Sequence, residues 1–416
     1  LYLSALALAG ADAPAKGPVK GRSPATRPAR GLLSWSDFKY LGAFRAPRLG
    51  TSSTAGSRYG FSATVMCWNP KGDPGGERDG FVGSIMMPGH PSKQLIGEFS
   101  IPRPKILTDA DKQADGTYDT RRLPMAKQLG RFSDPSGGKK NVFEKRVENW
   151  GGMCWDGDEI HLSWNLWYHV DSGAAYHLSH MAARKRPDGT WKTTIEPYAL
   201  PIRSHRINGY VAVVPKWWAD AHLGGRRLLG GLNICQGVGA SNCGPGLYAF
   251  DPKAPAAVLT LMEFPHAGKS AKTHDDDWRP SDLWRGLAFV DTGAKYAVMF
   301  CGRKSLGEVR YGIGRPTDAS RSKGYHCDPY RPEIRFYDPA ALLAVLKGAA
   351  KPHQPRPYAK IDLTKVFFQP DRAFLTAGIG YDPVNRLLYI AQVRGDRDSA
   401  RYEAVPVIHV WRIVKP

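Results

Sequence analysis

The run "RSHRINGY", from Arg203 to Tyr210, sets two guanidiniums (Arg203, Arg206), an imidazole (His205) and a phenol (Tyr210) just ahead of an apolar strand-like segment. Elimination at a uronic acid needs those residue types: a cation to neutralise the carboxylate, a base near neutral pKa to take a ring proton, and an acid for the leaving oxygen. A second set lies in "KGYHCDPYRP", where Lys323, Tyr325 and His326 sit in the longest loop of the fourth repeat. A loop of that length inside a domain is more often functional than idle. His205 or His326 is therefore the expected base, and Tyr210 or Tyr325 the expected acid. In "HDDDW", Asp275, Asp276 and Asp277 stand between His274 and Trp278. Three adjacent carboxylates repel and require a cation, a neighbouring arginine such as Arg279, or water. A structural calcium ion, which takes oxygen ligands, is one answer and the only cofactor expected. A glycosidase carboxylate or a solvated turn are the others. The acidic stretch Asp109 to Asp119 fails as a calcium loop, because Ala114 stands where the sharp turn needs glycine.

These residues need a scaffold, and the chain advertises one. Short Gly-centred segments recur at Gly60, Gly151, Gly209, Gly286 and Gly378. Each opens a series of apolar strands separated by Gly, Asp, Asn or Pro turns. Such a unit cannot bury both of its faces alone, so the units must pack side by side. The closed solution is an all-β fold, a β-propeller of five blades, with room in the two longest intervals for a sixth or seventh. "FKYLGAF" near the start and "VIHVWRI" at the end both alternate like strands, and their pairing in one blade would close the ring. Gly (45) and Pro (33) together exceed the usual share of roughly 12%, as many tight turns require. One surface helix is expected from Pro339 to Gly348.

In an antiparallel four-stranded blade, the loop into the innermost strand and the loop between the second and third strands emerge on one face. Registering the repeats gathers Trp167, His169, Arg203, His205, Arg206, Gln236, Trp278, Lys323, Tyr325, His326 and Arg394 there. Aromatic faces stack on sugar rings and arginine pairs with carboxylate or sulfate. Trp167, His169, Arg203, Arg206, Gln236, Trp278, Lys323 and Arg394 are the expected substrate contacts. The charge agrees: 58 Lys and Arg against 38 Asp and Glu give a formal +20. Such a field favours anionic partners. Nucleic acid is disfavoured, since no DNA- or RNA-reading motif is present.

Six cysteines form an even set without metal-type spacing. Cys235 with Cys243 and Cys301 with Cys327 are the expected disulfides, whereas Cys67 and Cys154 lie in apolar strands and read as buried free thiols. Residues 1–15 resemble the remnant of a secretory signal and residues 16–35 a basic Pro/Gly linker, leaving 36–416 as one propeller domain. No apolar run reaches membrane-spanning length, so a secreted, periplasmic or cell-surface location is expected.

"FKYLGAFRAP", "KGYHCDPYRPEIRFYDPAAL" and "IHVWRI" resemble a group of exported bacterial proteins of unassigned activity, over most of residues 36–416. More distantly, the Arg/His/Tyr face is similar to that of propeller-type polysaccharide lyases, including ulvan lyases, which have seven blades. That resemblance implies a secreted protein acting on a uronic or sulfated polysaccharide, preferably as a lyase. A non-catalytic polysaccharide-binding propeller and a five-bladed glycoside hydrolase are the alternatives.

Overall fold

The structure, a computed structural model, describes residues 30–49, 58–60, 62, 64–91, 93, 95–141, 148–166, 178–233, 244–264, 277–313, 321–368, 375–396 and 405–414. The chain enters with β1 (Gly31–Leu32) and β2 (Phe38–Arg45). The first blade holds β3 (Cys67–Asn69), β4 (Ser84–Pro88) and β5 (Ile96–Ser100). The second holds β6 (Glu148–Asp156), β7 (Glu159–Leu166), β8 (His180–Lys185) and β9 (Trp191–Tyr198). After the short helix α1 (Ser204–Ile207), the third is built from β10 (Val211–Val213), β11 (Leu228–Gly230), β12 (Leu247–Phe250) and β13 (Leu259–Met262), with α2 (Lys216–His222) between β10 and β11. In the fourth, β14 (Leu283–Asp291) and β15 (Lys295–Ser305) lead into an inserted hairpin, β16 (Arg310–Ile313) and β17 (Arg321–His326). The chain then returns as β18 (Tyr330–Tyr337) and, after α3 (Pro339–Leu346), β19 (Ala359–Asp362). The fifth is β20 (Leu375–Asp382), β21 (Leu387–Asp396), β22 (Val405–Ile413) and the N-terminal β2.

The inner strands β3, β6, β10, β14 and β20 touch in a closed ring, so the fold is a five-bladed propeller. β2 pairs antiparallel with β22, from Phe38 opposite Ile413 to Arg45 opposite Val407, which closes the ring as the terminal alternation predicts. Side-chain alternation gives each seam between blades its own core. Cys67, Met86 and Ile96 meet Trp150, Met153 and Trp164 between the first two blades. Trp284, Phe289 and Phe300 meet Tyr210, Ala212 and Leu229 between the third and fourth.

The recurrent glycines have two physical reasons. Inner strands carry a β-bulge where the Gly-centred segments lie, between Trp150 and Gly152 in β6, Trp284 and Gly286 in β14, and Thr376 and Ile379 in β20. Near the axis, neighbouring strands also leave no room: a Cβ on Gly152 would lie 2.5 Å from the Gly209 carbonyl oxygen of the next blade. Among the described residues the two long intervals form no further blade. In the first, the outer edge of β5 is covered by an irregular segment, bridged at Phe99–Gln128 and Ile96–Ser133. The second holds the β16–β17 hairpin and α3, the helix expected from Pro339, capped by the Asp338 side chain at the Ala340 amide.

One disulfide expectation is overturned. Cys301 and Cys327 are both free and buried, as are Cys67 and Cys154. Cys301 projects from β15 into the core shared with the fifth blade, among Met299, Ile334 and Ile390. Cys327 ends the inserted hairpin, its Sγ 3.6 Å from the Pro329 carbonyl. Flanking the same loop does not bring two thiols to one side of a sheet. Cys235 and Cys243 lie outside the described residues, as does everything before Arg30. Of the 16–35 linker, Arg30 ion-pairs with Asp291 and stacks 3.9 Å over Trp217, and Gly31–Leu32 pair in parallel with Lys295–Tyr296.

Candidate functional site

The start of β14 and the inserted hairpin emerge on the same face, because Leu283 pairs with Arg303 and Ser305 with Tyr330 at one end of the fourth blade. Of the expected residues, Tyr325 and His326 lie on the hairpin at this upper face. Most of its charges are matched. Lys304 on β15 donates from Nζ to Asp282 at 2.7 Å and to the Asp277 carbonyl at 3.0 Å. Arg331 and Arg335 grip the buried Glu333, and Arg356 and Lys360 hold the Asp277 carboxylate. Burial opposes ionisation of Asp277, but the hydrogen bond and charge of Lys360 outweigh it and keep its pKa below the usual range.

Two cations stand apart from that pattern. Arg285 is the extra residue of the bulge between Trp284 and Gly286, and Arg303, opposite Leu283 on β15, is near enough for its charge to act on it. Both are half-buried. Burial and the neighbouring Arg303 charge push the Arg285 guanidinium down to about 10. Burial also lowers Arg303, against the pull of Tyr330 and Asp282. Among the described residues neither arginine pairs with a carboxylate, and Arg303 Nε has no hydrogen-bond partner. The Arg303 guanidinium lies 4.2 Å over the ring of Tyr330, whose hydroxyl accepts the Cys327 amide at 2.8 Å. Asn233, bridged to Trp284 beside the bulge, buries a side-chain oxygen that has no partner among the described residues. Like charges held together in a partly dry site, with a free N–H on Arg303, suit an anion, which would neutralise the pair and accept its N–H groups, while the Asn233 oxygen, an acceptor, suits a neighbouring hydroxyl.

The residues expected from sequence distribute unevenly around this centre. Tyr210 is 1% exposed, and its hydroxyl donates to the Gly246 carbonyl at 2.6 Å, which removes it from the surface. Trp278 is equally buried, beneath the Arg335 guanidinium at 4.4 Å, so it cannot stack on a sugar. Arg206 ion-pairs with Glu263, while Arg203 is exposed at the start of α1. His205 lies within α1 and Lys323 within β17, but their side chains are outside the described residues. Tyr325 and His326 are half-exposed on β17, opposite Tyr311 and Arg310 respectively. Tyr311 and Tyr325 meet edge-on at 5.2 Å, and Tyr311 is 43% exposed. Arg394 is exposed on β21 in a left-handed conformation (φ 58°). Trp167, His169, Gln236, Asp275 and Asp276 lie outside the described residues, and the Asp277 carboxylate is already occupied by two cations. Among the described residues no group of three metal-binding side chains forms.

Asn233 falls on the loop face expected from the repeats, whereas Arg285 and Arg303 were not expected as site residues. Arg285 reads in sequence as part of a strand opening. The only signal is that it alone of the five openings puts an arginine immediately before the central glycine.

No protein-family model and no curated protein matches the chain. Among solved structures, one described under "The GH130 family of mannoside phosphorylases contains glycoside hydrolases that target beta-1,2 mannosidic linkages in Candida mannan" aligns with 93% of this chain and 98% of its own, at 10% identity and a TM-score of 0.38. A likeness that distant carries no activity across, and the five-bladed ring rests on this chain's own strand pairing.

Proposed function

We propose that this protein recognises an anionic polysaccharide, uronic or sulfated, on its upper face, with Arg285 and Arg303 taking the carboxylate or sulfate group. The observation that carries the reading is the pair itself: two half-buried guanidiniums without a carboxylate, beside Lys304, Arg331, Arg335 and Arg279, which each have an acidic or carbonyl partner. Tyr311 and Tyr325 on the hairpin supply ring faces suited to a sugar. The apolar run at residues 1–15 supports the export that such a partner requires.

Binding without chemistry is the form the geometry favours. Of the two acid–base pairs expected for elimination, one loses its acid because the Tyr210 hydroxyl is buried. The other comes from adjacent residues of one strand, Tyr325 and His326, whose side chains project to opposite faces of the hairpin. A lyase remains the second reading, because His326 stands next to Cys327, whose amide holds the Tyr330 hydroxyl beneath Arg303. A hydrolase would need two free carboxylates, and Asp277, Asp282 and Glu333 are each engaged by lysine or arginine.

Titration calorimetry with alginate, polygalacturonate, heparin and neutral dextran tests the reading. Binding to at least one anionic polymer, weakened steeply by salt and lost in the Arg285→Gln, Arg303→Gln double variant, is expected. Binding to none, or equal binding to dextran, overturns it. Ultraviolet absorbance from unsaturated product in the same mixtures would select the lyase form. In that case His326→Ala must lower turnover roughly 100-fold or more at unchanged stability.

A further inference from the structure

On the opposite, lower face the five inner strands diverge around a cavity of about 490 Å³ centred on the axis. Its chemistry is the reverse of the upper face. The charged residues of its lining are Asp156, Arg227 and Asp291, and each has an oppositely charged partner, with the buried Arg227 Nε left as a hydrogen-bond donor that has no partner among the described residues. Arg227 donates to Asp156 at 2.7 Å. Asp291 takes the Arg30 guanidinium, the Trp217 indole N–H at 2.7 Å and the Gly293 amide at 2.9 Å. An ion entering would find no charge left to pair with and would lose its hydration among apolar walls. Those walls include Trp155, Val213, Phe289, Tyr381 and, at the mouth, the 79% exposed Val384. Polar capacity is nonetheless present. Each inner strand is paired on one side only, so its other edge turns backbone N–H and C=O groups toward the axis. The volume falls within the range of about 300 to 1,000 Å³ usual for small-molecule sites.

We infer that this cavity is a second binding site, for an uncharged, mostly apolar ring compound carrying a few hydrogen-bonding groups, separate from the anion site at the other end of the axis. The uncharged fluorophore N-phenyl-1-naphthylamine, titrated into the full chain, reports it. Saturable one-to-one uptake that does not respond to salt is expected. Val213→Trp, which fills the cavity from β10, should weaken uptake about tenfold, and Val384→Asp, which makes the mouth polar at an exposed position, about threefold. Absent or non-saturable uptake, or uptake unchanged in both variants, overturns the inference. Should Val213→Trp fail to fold, Val384→Asp decides alone, since an exposed substitution leaves the fold intact.

Discussion

If Arg285 is held for a ligand rather than for the fold, removing its charge should stabilise the empty protein while weakening the complex. Bringing its pKa from 12.5 to about 10 corresponds to about 3 kcal/mol against the charged form, at about 1.4 kcal/mol per tenfold. The sign follows from the direction of the shift. A cation with a depressed folded-state pKa is a penalty while both states hold the proton, and the penalty fades as pH rises past about 10. Arg285→Met keeps the length of the side chain without the charge. It should add about 1 to 3 kcal/mol to stability at pH 7, raising the melting temperature by about 1 to 4 °C for a domain of this size. The gain should shrink in alkaline buffer. A charge-assisted hydrogen bond contributes about 1.5 to 3 kcal/mol, so affinity for the anionic polymer should fall roughly 10-fold to 100-fold. Arg331→Met on the same blade is the control: its guanidinium already pairs with Glu333, so no stabilisation should follow. Calorimetric melting and polymer titration of both variants decide. A lower melting temperature for Arg285→Met together with unchanged affinity would refute the reasoning and make Arg285 a structural cation.

Two further outcomes follow from buried polar groups. His409 is sealed in the fifth blade, with the Tyr40 hydroxyl 2.9 Å from Nδ1 and the Gln392 carbonyl oxygen 3.0 Å from Nε2, and burial pushes its pKa down to about 3. The unfolded chain takes up that proton near 6.5 and the fold does not. Stability should therefore be full above that pH and lost as pH falls toward 3, by about 5 kcal/mol in all. Urea denaturation at pH 7, 5 and 4 should show the decline, and His409→Gln should flatten it. Glu333→Gln would leave Arg335 charged between Trp278 and Trp284, a loss of about 3 to 5 kcal/mol visible as a lower melting temperature.

The architecture was readable because its signals are short-range. Glycines repeat where strands crowd the axis, as Gly152 does against the third blade, and the alternation of "FKYLGAF" and "VIHVWRI" survives as the closing pair. The three-stranded first blade was not readable, since its outer edge is covered by backbone with no strand period, such as that around Gln128. Site residues failed for a related reason: type and spacing do not tell which way a side chain turns. Tyr210 opens an inner strand like a rim residue, yet its hydroxyl finds a carbonyl at Gly246 in a distant loop. Cys301 and Cys327 flank one loop but leave it on different surfaces. Arg285 escaped notice because a bulge, invisible in the apolar pattern, presents it to Arg303.

The pairing of β2 with β22 also sets the order of events when the chain is made. β2 is complete at Arg45, but the strand it needs begins at Val405. At about 5 to 20 residues per second, the interval on the ribosome is on the order of twenty to seventy seconds. Throughout that time the edge of β2 that takes β22 stays unpaired, while its other edge can already take the segment after the first blade, at Ala43–Lys105 and Arg45–Met125. The ring cannot shut until β22 arrives, so a chain stopped short of it keeps two open edges instead of one missing strand. Formation of β22, more than any step within a single blade, is what removes both open edges of the ring.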